Sequence, residues 1–320
     1  MDSTSEHATP LGHGIWVIDT GYQRPQFDAA YLMVEQGRAA FIDTGTSLAL
    51  PRLLAALDAA GVARDAVDWV IPTHVHLDHA GGAGALMAEL PAAQLLVHPR
   101  GARHLINPTV LLASARAVYG DEEMQRAYGT VVPVDARRVV ESADGMVIAL
   151  AARPLTLFDT PGHARHHHCV WDARSRGFFT GDTFGLSYRE FDTPQGLWLL
   201  PSTTPTQFDP TALRASIERM LDQQPQRLYL THYGCIGNVA TLGRELLDQL
   251  DSVVALGECI RSQLLTPEAR HSALKDGLAA LYLQRLQRLG STLPREHVLA
   301  LLAMDIELNA QGMAVWLDAA

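Results

Sequence analysis

The stretch Thr73-His74-Val75-His76-Leu77-Asp78-His79, followed at once by Ala80-Gly81-Gly82, decides how this chain is read. It comes directly after Asp68-Trp69-Val70-Ile71, a short apolar run that reads as a buried strand. Imidazoles and a carboxylate therefore crowd the point where a strand gives way to a loop. In extended backbone, residues two apart face the same way, so His74, His76 and Asp78 are expected to converge on one side. His79 then needs a turn, which Gly81 and Gly82 are expected to permit. Neutral imidazole and carboxylate are the ligands that zinc and related divalent ions take. A tag also clusters histidines, but at a terminus and without an intervening Asp; this cluster is internal.

Composition narrows the classes. Of 320 residues, 48% are hydrophobic and 19% charged, a globular composition long enough for a large core and more than one substructure. Lys and Arg number 25 against 35 Asp and Glu, a net charge of -10 with no basic stripe, so a nucleic-acid partner is not expected. The start, Met1-Asp2-Ser3-Thr4-Ser5-Glu6, is polar and acidic, which speaks against a signal peptide. No run approaches the ~20 apolar residues of a membrane span, and no membrane partner is expected. Cys169, Cys235 and Cys259 lack CxxC spacing and fit a reducing cytoplasm, where they read as small core hydrophobes.

Around the histidine stretch the chain alternates strand and helix. Strands are expected at Ile15–Ile18, Ala30–Val34, Ala39–Ile42, Gln94–His98, Met146–Ala149, Leu155–Phe158, His168–Trp171, Gly177–Thr180 and Arg227–Leu230. Helical spacing places Leu50, Leu53, Leu54 and Leu57 on one helix, with Ser47 as its cap, and a short helix is expected over Leu86–Leu90. Asp209-Pro210 reads as a cap and first turn before Leu213, Ile217, Met220 and Leu221. From Gly101 to Gly129 the pattern is helical and broken at Pro108 and Gly120, an insertion that could cover the site. Beyond about Gly237 amphipathic helices dominate, around Leu242–Val254, Leu274–Tyr282 and Val298–Leu302, with a strand expected at Met313–Leu317. The class is α/β: two similar halves packed sheet on sheet with helices outside. The expected division is a catalytic domain over 1–238 and a helical region over 239–320 packed on it. The apolar stripes of that region read first as core and allow a homodimer.

Further polar residues fall at the ends of expected strands. They are Asp43, Asp159 with His163, Asp182 after Thr180-Gly181, and His232 with Tyr233 after Thr231. Residues on loops at one edge of a sheet architecture are what a shared site requires.

With these in place the chain resembles the metallo-β-lactamase fold family over roughly residues 12 to 237. His74, His76, Asp78 and His79 match the HxHxDH signature, and His163, Asp182 and His232 follow in the expected order. The resemblance implies a four-layer αββα sandwich and two divalent metal ions, zinc first, with iron or manganese allowed by the nitrogen and oxygen donors. It places His74, His76 and His163 on one metal, Asp78, His79 and His232 on the other, and Asp182 between them. Five neutral histidines and two aspartates set about two negative charges against the four of the ions, so a shared water should ionise near neutral pH, as one zinc alone brings it to roughly 7. The hydroxide would attack a carbonyl or phosphoryl centre, with Asp78 or Asp182 holding it. Asp43 is a candidate for orienting a ligand histidine through its other ring nitrogen, beside the reading of a turn Asp. His166, His167 and His168 are read as supporting or structural. Tyr233 reads equally as a donor to a substrate oxyanion and as a core tyrosine.

The substrate is less explicit. Dinuclear β-lactamases commonly place a cysteine where Asp182 stands, and the family's diiron flavoproteins put a glutamate in the histidine signature. Phe179-Thr180-Gly181-Asp182-Thr183 is similar to glyoxalase II and its thioesterase relatives, although Phe184–Phe191 lacks their glutathione-binding stretch. His79-Ala80-Gly81-Gly82 looks like homoserine-lactone lactonases, and the quinolone-signal response protein is another relative with helical C-terminal additions. The expected function is a cytoplasmic metal-dependent hydrolase of an ester, thioester or lactone with an apolar part. The alternatives are a phosphodiesterase and a ligand-sensing protein with a residual site. Thr183 to Phe208, with Tyr188, Phe191, Trp198, Pro201 and Pro205, is longer than ordinary connections and reads either as a loop lining an apolar pocket or as a structural meander. Arg189 is its candidate for meeting an anionic substrate.

Overall fold

The computed structural model describes residues 6–203, 205 and 207–319; the polar start Met1–Ser5 lies outside them. The chain forms two compact units. The first takes the residues through Asp159, His166–Gly181 and Pro225–Gly237; the second takes Thr160–Arg165, Asp182–Gln224 and the residues from Asn238. The chain passes between the units several times, the last time between Gly237 and Asn238.

The first unit holds two sheets. One runs in the order β1 (Ala8–Gly12), β2 (Ile15–Asp19), β3 (Ala29–Glu35), β4 (Arg38–Ile42), β5 (Val67–Ile71), β6 (Gln94–Val97) and β7 (Val139–Glu141), antiparallel to β4 and parallel from there. The other contains β8 (Val147–Leu150), β9 (Arg153–Asp159), β10 (His168–Asp172), β11 (Gly177–Gly181), β12 (Arg227–Leu230) and β13 (Gly234–Ile236), with β11 and β12 parallel and the rest antiparallel. Because successive side chains point to opposite faces, β3 to β6 read as continuous apolar runs: both faces are covered. Leu32, Phe41, Val70 and Leu95 pack in one core with Leu53, Leu57, Leu86 and Leu105. Tyr31, Met33, Ile42 and Leu96 pack in another with Leu155, Leu157, Val170, Phe179 and Tyr229 of the facing sheet.

The helices of this unit are α1 (Leu50–Ala59), α2 (Leu77–Ala80), α3 (Ala83–Glu89), α4 (Pro99–Ile106), α5 (Thr109–Tyr119) and α6 (Asp121–Glu123), the last running into a π-turn at Met124–Tyr128. Pro108 and Gly120 break the 101–129 insertion as expected. One expectation about the histidine stretch is corrected. Asp78 lies on α2, not in extended backbone; His79 sits in a turn as expected, but Gly81 has an ordinary helical φ of -61°. The two glycines serve close approach instead. A Cβ on Gly81 would meet the Leu77 carbonyl oxygen at 2.3 Å, and one on Gly82 the carbonyl oxygens of Thr44 and Thr46 at 2.9 Å.

In the second unit, α7 (Pro210–Asp222) begins at Asp209, whose side chain accepts from the Ala212 amide at 3.0 Å, as the Asp-Pro pair predicts. It is followed by α8 (Val239–Arg261), α9 (Pro267–Arg288), α10 (Arg295–Leu301) and α11 (Ala303–Ala319). Met313–Leu317, expected as a strand, belongs to α11. The run is rich in good helix formers, and a short apolar run carries no period of its own to arbitrate. Among the described residues no single helix is long and apolar enough to cross a membrane.

The aromatic residues of 183–208 are core. Phe184, Tyr188, Phe191 and Trp198 are buried, and Trp198 packs edge-on to Tyr282 of α9 at 5.6 Å. Tyr188 donates to Asp305 at 2.8 Å, and the Trp198 indole donates to Gln249 at 2.7 Å. Arg189 bonds its own loop at the Ser187 carbonyl, 2.6 Å away. A cavity of about 510 Å³ in this unit takes Gln207 and Phe208 from the segment, with Arg214, Leu250 and Trp316 among its other walls.

Arg153 and Asp172, at the end of the β9–β10 hairpin, form a buried pair, with Nη2 and Oδ2 at 2.5 Å and side chains 1% and 0% exposed. Burial alone would raise the Asp172 carboxyl, but the Arg153 hydrogen bonds outweigh it and hold the carboxyl below its ordinary range. Asp172→Ala leaves the buried guanidinium with the His13 carbonyl at 2.6 Å and Glu35 at 3.8 Å, and is expected to lower the unfolding free energy by about 3 kcal/mol. Urea titration checks this, with a midpoint shift at unchanged slope; a loss below ~1 kcal/mol would remove the pair from the fold's main supports.

Candidate metal centre

β4 and β5 are parallel neighbours, so the residues after them leave the sheet at the same edge. Asp43 follows β4 and Thr73 follows β5, and the two meet. The Thr73 amide donates to Asp43 Oδ1 at 2.7 Å, and the Thr73 hydroxyl donates to the same oxygen at 3.0 Å. Oδ2 accepts from the Thr231 hydroxyl at 2.7 Å and sits 2.9 Å from His79 Nδ1. Asp43 is 1% exposed and takes a left-handed φ of 55°, a region that Asp and Asn enter more readily than other side chains. Of the two readings from sequence, the structure gives Asp43 the orienting one.

His79 Nδ1 faces a carboxylate and therefore carries the proton, leaving the Nε2 lone pair on the other side of the ring. That nitrogen lies 3.7 Å from Asp78 Oδ2. His232 repeats the arrangement: its Nδ1 donates to the Phe27 carbonyl at 2.8 Å, and its Nε2 lies 3.4 Å from Asp78 Oδ2. Asp78, His79 and His232 thus bring ligand atoms within 4.8 Å of one another. A histidine whose Nδ1–H is held by an oxygen acceptor while Nε2 faces a carboxylate has the tautomer and orientation of a metal ligand. The donor set fits a divalent ion.

His74 and His76 lie beside this group, with His74 Nε2 and His76 Nδ1 at 2.8 Å and the His74 and His79 ring centroids at 4.0 Å. His167 stacks on His74 at 4.9 Å. Gly181 keeps that space open, since a Cβ there would meet His167 Nε2 and the Thr73 hydroxyl at 2.5 Å. In the second unit, His163 Nε2 and Asp182 Oδ2 face each other at 3.4 Å. His163 follows β9 and Asp182 directly follows β11. The Tyr233 ring packs, partly buried, against the core between the sheets.

Several residues of this site were not singled out from sequence. Thr73 and Thr231 both precede a histidine at the end of a strand and both bind Asp43, so the repeated Thr-His pair was the available signal. Asp28 carried no signal at all. It is fully buried beside Thr20, and burial, partly opposed by His232 and His79, pushes its carboxyl up to about 7.

The superfamily profile described as "Metallo-beta-lactamase superfamily" matches residues 24–232. The chain belongs to the metallo-β-lactamase superfamily. Its mixed α/β architecture, two sheets with helices, is that of this fold, and a set of C-terminal helices is added to it. Among relatives, the metallo-beta-lactamase fold-containing protein ST1585 of Sulfurisphaera tokodaii is 27% identical over 216 residues, covering 66% of this chain and 75% of that one. Its crystal structure aligns with a TM-score of 0.61 at 26% identity, over 74% of this chain and 86% of that one. The acyl-coenzyme A thioesterase MBLAC2 of Gallus gallus is 31% identical over 189 residues, 54% of this chain and 64% of that protein. The family protein TTHA1429 of Thermus thermophilus shares the fold at a TM-score of 0.64, with 20% identity over 88% of this chain and 95% of that one.

His168 lies further along the same edge, wholly buried, with Nδ1 2.8 Å from the Ser142 hydroxyl. Burial, aided by the neighbouring His98, pushes its imidazole down to about 4. The neutral form is therefore the one that folds. Its stabilising contribution is whole above the ordinary histidine range near 6.5 and is lost as pH falls from there through about 4. Between pH 7 and 4, His168→Gln is expected to lose on the order of 3 kcal/mol less stability than the unsubstituted chain. Parallel denaturation curves against pH read this difference; coincident slopes would contradict it.

Proposed function

We propose that this superfamily member is a metal-dependent hydrolase that cleaves an ester, thioester or lactone bond in a small molecule with an apolar part. The observation that carries the reading is the shared geometry of His79 and His232, each with Nδ1 held by an oxygen and Nε2 turned to Asp78. A thioester is the first choice among the bonds, because one relative bears the name of an acyl-coenzyme A thioesterase.

On this reading His74, His76, Asp78, His79, His163, Asp182 and His232 hold two divalent ions, zinc before iron or manganese. Bound there, the ions would polarise the acyl oxygen and make water acidic enough to serve as nucleophile near neutral pH. The chain's own work is orientation and charge. Asp43 keeps the His79 proton on Nδ1, so Nε2 stays a lone-pair donor. The Phe27 carbonyl does the same for His232. Asp78 and Asp182 supply the negative charge of the ligand set and are the groups placed to accept a proton as water attacks.

The test is turnover by metal-reconstituted protein of octanoyl-coenzyme A, p-nitrophenyl octanoate, N-octanoyl homoserine lactone and bis-p-nitrophenyl phosphate. Hydrolysis of an acyl substrate is expected, with loss on chelation, return on adding zinc, and loss in Asp182→Ala. Protein with full metal content that turns over none of them would defeat the proposal, and activity on the phosphodiester alone would redirect it. Asp43→Asn keeps a residue that tolerates left-handed backbone but removes the charge facing His79. Its metal retention, measured by competition with a chelating dye, is expected to fall roughly 10- to 100-fold.

A further inference from the structure

The cavity of the second unit, about 510 Å³, has the size of a small-molecule pocket, for which roughly 300–1,000 Å³ is usual. None of the candidate metal ligands lines it. One side is apolar and built from Phe208, Leu250, Val254, Val315 and Trp316. Val315 is left 45% exposed there, although α11 buries most of its other apolar residues. Phe208 and Trp316 meet edge to face at 5.8 Å. The benzo edge of Trp316 is seated over Gly257 of α8, where a Cβ would come within 2.8 Å of Cζ3. The ring is thus fixed by that edge, and its N–H edge lies on the side away from Gly257.

The polar side carries donors. Arg165, in the connection after β9, is exposed, and among the described residues its guanidinium meets no carboxylate and no other acceptor. Its backbone amide donates to Gln207 Oε1 at 2.7 Å, which fixes the orientation of that side chain and leaves the Gln207 NH2 group as a donor. The Trp316 indole N–H also finds no acceptor among the described residues.

The remaining charges of the walls are matched. Arg214 pairs with Asp251 and lies 3.4 Å from Glu218. Asp209 accepts the Ala212 amide at 3.0 Å, at the N-terminus of α7, where a negative charge is favoured. Arg165 is the cation left over. Unmatched donors and one cation beside an apolar hollow suit an acceptor with a single negative charge on an aliphatic body. A doubly charged head would be repelled by Asp209 and Asp251 in the same walls.

We propose that this cavity binds a monocarboxylate with an aliphatic tail, its head on Arg165 and Gln207 and its tail along Leu250, Val254 and Val315. The inference goes beyond the hydrolase reading and needs neither metal nor turnover.

The experiment compares metal-loaded full-length protein with R165Q, V254W and W316F, using octanoate as the probe. Calorimetry gives Kd, and tryptophan emission reports on Trp316. Octanoate is expected to bind at least tenfold more tightly than acetate, which lacks the tail, octylamine, which reverses the charge, and octyl phosphate, which adds a second one. R165Q removes a charge-assisted bond and is expected to raise octanoate Kd about tenfold or more. V254W fills the hollow and is expected to raise it at least as far, with metal content unchanged. The emission change on adding octanoate is expected to vanish in W316F. Octanoate Kd unchanged in R165Q overturns the proposal, and this exposed substitution decides alone should V254W fail to fold. Octylamine or octyl phosphate bound as tightly as octanoate overturns it too. So does octanoate binding that is lost on chelation, since the carboxylate then sits on the metal.

Discussion

Asp43 is a buried carboxylate that gathers Thr73, His79 and Thr231 around two oxygens. A carboxylate taken out of water is tolerable only if its lone pairs are met, and each charge-assisted bond contributes roughly 1.5–3 kcal/mol. Meeting them here requires parts of both sheets. Thr73 comes from the end of β5 in one sheet, and Thr231 from the end of β12 in the other. The Tyr31 hydroxyl reinforces the junction by donating to the Leu230 carbonyl at 2.5 Å, and the Ala29 amide donates to the Thr231 carbonyl at 2.8 Å. The spacing of the sheets and the orientation of His79 are therefore set by the same few atoms.

Much of this could be read in the sequence, for a physical reason. Strands buried on both faces give uninterrupted apolar runs, and the loops that follow them are the only places where polar residues can collect. Asp43, His74, Asp182 and His232 were visible because each stands at such a break. The convergence of Thr73 and Thr231 on Asp43 was not, since pairing across sheets leaves no period along the chain. Asp78 and His79 turned out to lie on a helical turn because Gly81 and Gly82 let that turn close against Thr44 and Thr46. An expectation built on alternation alone could not foresee a contact with residues some 35 positions earlier.

The second unit shows the opposite balance. Its helices announce themselves by spacing, but the role of 183–208 depends on what its aromatic rings meet. Trp198 and Tyr188 are amphipathic, and such rings suit a ligand pocket or a core equally until their polar tips find partners. Here Gln249 and Asp305 supply those partners from α8 and α11. Asn309 adds a third tie, accepting from the Thr203 amide at 2.8 Å and bonding the Tyr282 hydroxyl at 3.0 Å. A segment with little regular structure is thereby anchored at several points along its length.

The close approach of Gly81 and Gly82 to Thr44–Thr46 also bears on how motion is distributed. The Thr44 amide donates to the His79 carbonyl at 2.7 Å, and the Gly82 amide donates to the Gly45 carbonyl at 2.9 Å. The turn after β4 and the histidine-bearing turn after β5 are fastened together by backbone, and the Thr44 hydroxyl adds a bond to the His79 carbonyl at 2.9 Å. Opening one means opening both, at a cost near that of the sheet itself. α5, in contrast, has no buried residue along its eleven. Fluctuations of the first unit will be drawn to that helix, where few contacts have to be given up. The fold thus separates a rigid floor, which tolerates almost no substitution at its glycines, from a border free to drift in sequence as lineages diverge.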